Sequence, residues 1–244
     1  MRALLALALA GNLAAQCSGT LYLTIDTGSM SQAKVIADAL RKHKVKATFF
    51  LANEKTIRGD WTLDDAWAPY WKALAEEGHA FGTHTWHHGV FRSDVGDRVR
   101  YVLDGKPELL DQAAVCRELK RVDERFQQIA GRPLDHFWRA PGGHTTENVV
   151  KMAKSCGYQH VGWSPAGLLG DELPSATYPN SLLVERAEKN LKDGDVLLMH
   201  TGIRSRKEPF APALDELLTR LQRKGFCFAT MTPEAAAKAP KGSY

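Results

Sequence analysis

Two histidines four residues apart, His84 and His88 in the run His84-Thr85-Trp86-His87-His88, are the residues of this chain best suited to chemistry. Imidazoles at that spacing can share one helical face and hold one divalent ion. Upstream, the run Leu21-Tyr22-Leu23-Thr24-Ile25 ends in Asp26-Thr27-Gly28 and so places a carboxylate where a metal-centred hydrolase needs its base. Arg139 and His200 also stand directly after short apolar runs. A base, two metal-capable imidazoles, a guanidinium and a further histidine together point to metal-assisted hydrolysis.

These residues need a frame. Helical periodicity runs through 31–44, 64–77, 107–130, 145–155, 181–192 and 212–224, with Ser31 as an expected N-cap and Gly78, Gly131 and Gly225 as expected stops. Between these segments lie short apolar or β-branched runs at 21–25, 47–52, 79–83, 136–139, 159–163, 196–199 and 226–230. Strands alternating with helices predict an α/β protein with a parallel sheet, most simply a distorted (β/α)7 barrel in a single domain. Barrels of this kind collect their reactive groups at the C-terminal ends of the strands. Asp26, His84, Arg139 and His200 follow the first, third, fourth and sixth of the expected strands, which puts all of them on one rim.

The 244 residues, 44% hydrophobic and 25% charged, suffice for one domain with a sizeable core. A net charge of +4, with the basic residues scattered, gives no case for a nucleic-acid partner. The N-terminus, one arginine followed by a short apolar run and then Ala14-Ala15, reads as a secretory signal peptide over residues 1–16, leaving 17–244 as the domain. No apolar run reaches the roughly 20 residues of a membrane span. The expectation is therefore an exported protein, periplasmic or extracellular. Four cysteines in an exported chain suggest two disulfides, for which three connectivities exist. The favoured one pairs Cys17, just before the first strand, with Cys227, within the last, and Cys116 with Cys156.

The ordered set of motifs resembles the polysaccharide deacetylase family, carbohydrate esterase family 4, over Leu21 to Met231. Its first motif, Thr-Phe/Tyr-Asp-Asp-Gly, is Thr24-Ile25-Asp26-Thr27-Gly28 here, and its second, His-Ser/Thr-x-x-His, is His84 to His88. The third, Arg-x-Pro-x-Gly, is Arg139-Ala140-Pro141-Gly142-Gly143, and the fifth, Leu-x-His, is Leu198-Met199-His200. The resemblance implies a distorted barrel that removes acetyl groups from a glycan such as peptidoglycan, a chitin-like oligosaccharide or an exopolysaccharide. It implies Asp26 as general base, His200 as general acid and Arg139 as the tether of Asp26. It further implies a divalent metal, zinc by choice, on His84 and His88, the Gly142 N–H at the oxyanion, and Leu198 and Trp163 around the acetyl methyl.

Two departures stand out. The second Asp of the first motif, a metal ligand in the family, is Thr27 here. Three routes remain: Thr27 acting through a water, Asp171 or Glu172 swinging in, or a site with little or no metal. The fourth motif, whose Asp orients the acid histidine, is replaced by Trp163 to Asp171, in which Asp171 is the nearest carboxylate. These departures leave two rival readings, a carbohydrate-binding pseudoenzyme and a metal-independent C–N hydrolase on the same fold. Among the aromatics of Trp61 to Trp71, Trp67 and Trp71 are expected to pack and Trp61 to meet sugar. The 168–180 loop is a second candidate for substrate contact.

Overall fold

The computed structural model describes residues 17–240; the signal peptide expected over 1–16 lies outside them. Strand β1 (Gly19–Asp26) leads through α1 (Ala33–His43) to β2 (Thr48–Leu51), then through α2 (Ala68–Glu76) to β3 (Ala80–Thr83). Three further strands follow, β4 (Val90–Val95), β5 (Arg98–Leu103) and β6 (Lys106–Leu110), before α3 (Gln112–Ala130), β7 (Phe137–Trp138), α4 (Glu147–Ser155) and β8 (Gln159–His160). The chain ends with α5 (Asn180–Asn190), β9 (Val196–His200), α6 (Leu214–Arg223), β10 (Phe226–Phe228) and α7 (Pro233–Lys238).

Seven strands, β1, β2, β3, β7, β8, β9 and β10, form one parallel sheet. Beyond β8 the backbone continues across the gap: Ser164 N–H donates to Val196 O at 3.0 Å and Leu169 N–H to Leu198 O at 3.2 Å. These bonds curl the sheet onto β9 and make the expected distorted (β/α)7 barrel.

Side-chain alternation along each strand sorts the core into two layers. Leu21, Leu23, Ile25, Phe49, Phe81, Leu197 and Met199 point outward and join the helix leucines Leu214, Leu217, Leu218 and Leu221. Phe50, Phe137, Val161, Trp163, Val196, Leu198 and Met231 fill the interior. Both faces of the parallel strands are therefore apolar, which is why β2 reads Thr-Phe-Phe-Leu with every residue buried.

The structure corrects the sequence reading in three places. Residues 90–110 form a three-stranded antiparallel sheet, and the helix expected from 107 begins at Gln112. Its start is set by Asp111, whose side chain accepts from the Ala114 N–H at 2.8 Å. The Asp104-Gly105 turn with flanking alternation marks this hairpin. Ser31 does not cap α1; the N-cap is Gln32, without a side-chain bond, while the Ser31 hydroxyl meets that of Ser29. Third, α7 follows the last strand, capped by Thr232. The expected stops hold, as at Gly131, the left-handed C-cap of α3 at φ 75°.

Both favoured disulfides are present, Cys17–Cys227 and Cys116–Cys156, each with Cα atoms 5.6 Å apart. The second staples α3 to the end of α4 across 40 residues of chain. Replacing Cys116 and Cys156 by serine should lower unfolding free energy by about 2–4 kcal/mol, read from denaturant titration. An unchanged midpoint would show that the bridge does not constrain the unfolded chain.

Candidate functional site

Register and alternation together build the site. Asp26 pairs with His200 across β1 and β9, and with Phe50 across β1 and β2. Thr83 pairs with Trp138, so His84 and Arg139 leave β3 and β7 side by side. On every one of these strands the reactive residue has the parity of the interior side chains: Val196 and Leu198 precede His200, and Phe137 precedes Arg139. The barrel mouth thus receives Asp26, His84, Arg139 and His200, as the sequence predicts.

Asp26 and Arg139 are 2% and 0% exposed. Arg139 Nη1 donates to Asp26 Oδ1 at 2.8 Å, while Nε and Nη2 donate to the carbonyls of Val161 and Gly162 at 3.1 and 2.9 Å. The guanidinium also lies 4.3 Å from the centre of the Phe50 ring. Burial opposes ionisation of Asp26, but the Arg139 guanidinium, aided by His84 and His200, outweighs it and holds the carboxyl below its ordinary value. The second oxygen, Oδ2, faces His84 Nε2 at 3.5 Å.

His84 Nδ1 sits 2.9 Å from the Arg139 carbonyl oxygen, which can only accept, so Nδ1 carries the proton and Nε2 is bare. Burial, reinforced by His88 and partly opposed by Asp26, pushes the His84 pKa down to about 3 and keeps the ring neutral. His88 Nε2 lies 3.2 Å from His84 Nε2. Two nitrogens bound to one tetrahedral zinc at about 2.0–2.1 Å stand about 3.3 Å apart, so the spacing of the pair and the tautomer of His84 fit a metal. The 84–88 segment is not helical. It is a loop with left-handed Thr85 and His88 at φ 66° and 57°, fastened by the His88 N–H donating to Thr85 Oγ1 at 3.1 Å. His87 turns outward to Glu118 at 2.6 Å.

Asp171, the nearest carboxylate to the altered fourth motif, lies against His200. Its Oδ1 meets His200 Nδ1 at 3.1 Å and its Oδ2 accepts from the His200 N–H at 2.7 Å. Burial lowers the His200 pKa, yet the Asp171 carboxylate and its hydrogen bond, with Asp26 and Glu172, push it up to about 9. His200 therefore carries a proton at neutral pH. Asp171 and Glu172 arrive on the 168–180 loop, and Glu172 Oε2, on the cavity wall, stands 3.9 Å from His200 Nε2. Ligand atoms of Asp171, Glu172 and His200 all lie within 4.8 Å of one another, a second group of donors at the same mouth.

A cavity of about 250 Å³ collects Asp26, Thr27, Glu54, His84, His88, Gly142, Trp163, Glu172, Leu198 and His200. Gly142 bends into it at φ 61°, and a Cβ on Gly143 would meet the Trp163 ring at 2.4 Å, so this turn needs its glycines. Thr27 is committed elsewhere: its Oγ1 accepts from the Ala52 N–H at 3.0 Å. Glu54, absent from the sequence reading, lies three residues past the end of β2, on the rim where strand ends gather. Trp67 and Trp71 are buried as expected, and Trp61 is 46% exposed. Trp61 borders an adjoining groove of about 850 Å³ with Lys55, Arg92 and Arg204.

Residues 14–161 match the family model for polysaccharide deacetylase. Among curated relatives, a peptidoglycan-N-acetylglucosamine deacetylase of Bacillus cereus is 30% identical over 213 residues, 86% of this chain and 85% of that protein. A peptidoglycan-N-acetylmuramic acid deacetylase of Bacillus subtilis is 28% identical, over 87% of this chain and 70% of its own length. Among solved structures, a family 4 acetyl xylan esterase from Clostridium thermocellum, in complex with a cobalt ion, shares the fold. Its TM-score is 0.68 at 20% identity, covering 91% of this chain and 94% of that one. With its motifs assembled on one rim and its sequence matched over most of its length, the chain belongs to the polysaccharide deacetylase family of carbohydrate-deacetylating hydrolases.

Proposed function

We propose that this protein is an exported, metal-assisted hydrolase that removes acetyl groups from an acetylated glycan, with an N-acetylated peptidoglycan strand as the first choice. The observation that carries the reading is the single cavity in which an ionised Asp26, the His84–His88 pair and a protonated His200 face one another. The likeness to deacetylases of peptidoglycan supports the substrate class. The domain is taken as residues 17–244 after a signal peptide over 1–16, and the two disulfides suit an oxidising compartment.

Arg139 occupies Asp26 Oδ1, so Oδ2 is the oxygen that takes a proton from the attacking water. The oxygen of that water adds to the acetyl carbonyl carbon, and the Gly142 N–H, at the turn after Pro141, receives the developing oxyanion. His200 then gives its proton to the leaving amine, or to an alcohol for an O-acetyl group, as the bond to the acetyl carbon breaks. What a divalent metal, zinc by its ligands, supplies when held by His84 and His88 is polarisation of that carbonyl and a lower pKa for the water. Trp163 and Leu198 wall the space for the methyl group. The groove beside the cavity receives the rest of the glycan, with Trp61 available to stack on a sugar face and no need for a nucleic acid or membrane partner. No helix among the described residues is long and apolar enough to cross a membrane.

Purified protein should release acetate from N-acetylglucosamine oligomers or peptidoglycan, and chelation should suppress that release until zinc is restored. Asp26→Asn should reduce kcat/KM by about 10²–10⁴-fold; a variant of wild-type rate would remove Asp26 from the chemistry.

The pH dependence has a definite sign. His200 acts protonated, so activity persists on the alkaline side until pH passes its pKa of about 9. Asp171→Asn removes the main influence raising that pKa, and the alkaline limb of the kcat/KM profile should move to lower pH. A limb that stays in place would show that Asp171 does not tune the acid.

A further inference from the structure

We propose that Glu54 supplies the carboxylate that the first motif lacks at Thr27, completing with His84 and His88 a three-residue donor set for a divalent metal. This rests on the metal-assisted reading above and names a ligand that the first motif does not contain.

Thr27 itself is a poor substitute for an aspartate. It is 1% exposed, uncharged, and its hydroxyl oxygen is engaged by the Ala52 N–H. That bond ties the end of β1 to the segment leading to Glu54, two residues on. The segment is pinned on both sides. Asn53 N–H donates to the Trp86 carbonyl at 2.9 Å, inside the loop that carries the two histidines. Glu54 N–H donates to Thr62 Oγ1 at 3.1 Å, and Thr62 N–H returns to the Glu54 carbonyl at 2.9 Å. The backbone thus fixes where the side chain starts.

Its carboxylate lies at the same cavity with Oε1 3.8 Å from His88 Nδ1, and a turn of the side chain is needed to bring an oxygen to the Nε2 pair. Oε2 is buried and has no hydrogen-bond partner among the described residues. A carboxylate oxygen removed from water without a partner is costly, and a cation in the shared cavity meets that need. Of the other acids at the mouth, Asp26 is engaged by Arg139 and Asp171 through both oxygens by His200, while Glu172 faces His200 Nε2 at 3.9 Å. Two imidazoles and one glutamate form a donor set of the kind catalytic zinc uses, with a further position left for water or substrate. The carboxylate has moved from one strand end to the loop after the neighbouring strand.

The test is binding of zinc alone to chelator-stripped protein by calorimetry, with the visible spectrum of the cobalt-substituted protein as a second readout. Wild type should take one equivalent. Glu54→Gln, isosteric and checked by its metal-free melting temperature, should bind at least about 100-fold more weakly, beyond what loss of an outer-sphere partner costs, with an altered cobalt spectrum. Adding Thr27→Asp to Glu54→Gln should restore tight binding. If Glu54→Gln binds zinc as wild type does, with the same cobalt spectrum, while His84→Ala loses it, Glu54 is not a ligand and the metal-assisted reading survives. If wild type binds no zinc, both fall.

Discussion

The buried pair of Asp26 and Arg139 is the constraint on which the rest of the site depends. Neither ion is tolerable alone at its depth, since breaking such a pair leaves an uncompensated charge and costs about 3–5 kcal/mol. Arg139 answers this with one arm on Asp26, the others on the carbonyls of Val161 and Gly162, and its flat face on Phe50. The pair therefore fixes β1, β7 and the segment after β8 relative to one another at the mouth. It also leaves one carboxylate oxygen turned toward His84. A structural lock and an ionised carboxylate are the same contact.

His200 is secured by a different device. Asp171 grips His200 through both its backbone N–H and its Nδ1, so the ring's orientation and its proton have one cause. Asp26 and His200 sit side by side because β1 and β9 pair in parallel with these two residues in register. A shift of one residue would turn either side chain from the mouth to the helix layer. The apolar alternation that builds two layers of core thus also aims the chemistry.

Much of this was legible in the sequence. The strand-ending positions of Asp26, His84, Arg139 and His200, the barrel and the disulfide pairing follow from period-2 runs, helix periodicity and cysteine placement. What escaped the sequence escaped for physical reasons. The 90–110 sheet is short, half-exposed and peripheral, so its alternation is weak except at Asp104-Gly105. The helical spacing of His84 and His88 is coincidental, because left-handed Thr85 and His88 fold that stretch into a loop that still brings the nitrogens together. Asp171 was visible but unplaceable, since a loop's reach is a tertiary fact. Glu54 carries no motif, and only the folded chain sets its carboxylate beside His88.

The replacement of an aspartate by Thr27 first suggests a weakened centre, yet the hydroxyl now joins β1 to β2, and Glu54 lies nearby with one carboxylate oxygen unpartnered among the described residues. The most direct test of the central claim is an anomalous-scattering map from crystals of the protein loaded with zinc. The account predicts one strong peak bonded to Nε2 of both His84 and His88 and to a Glu54 oxygen, open toward Asp26. A peak seated instead on Asp171, Glu172 and His200, or none at the histidine pair, would contradict it.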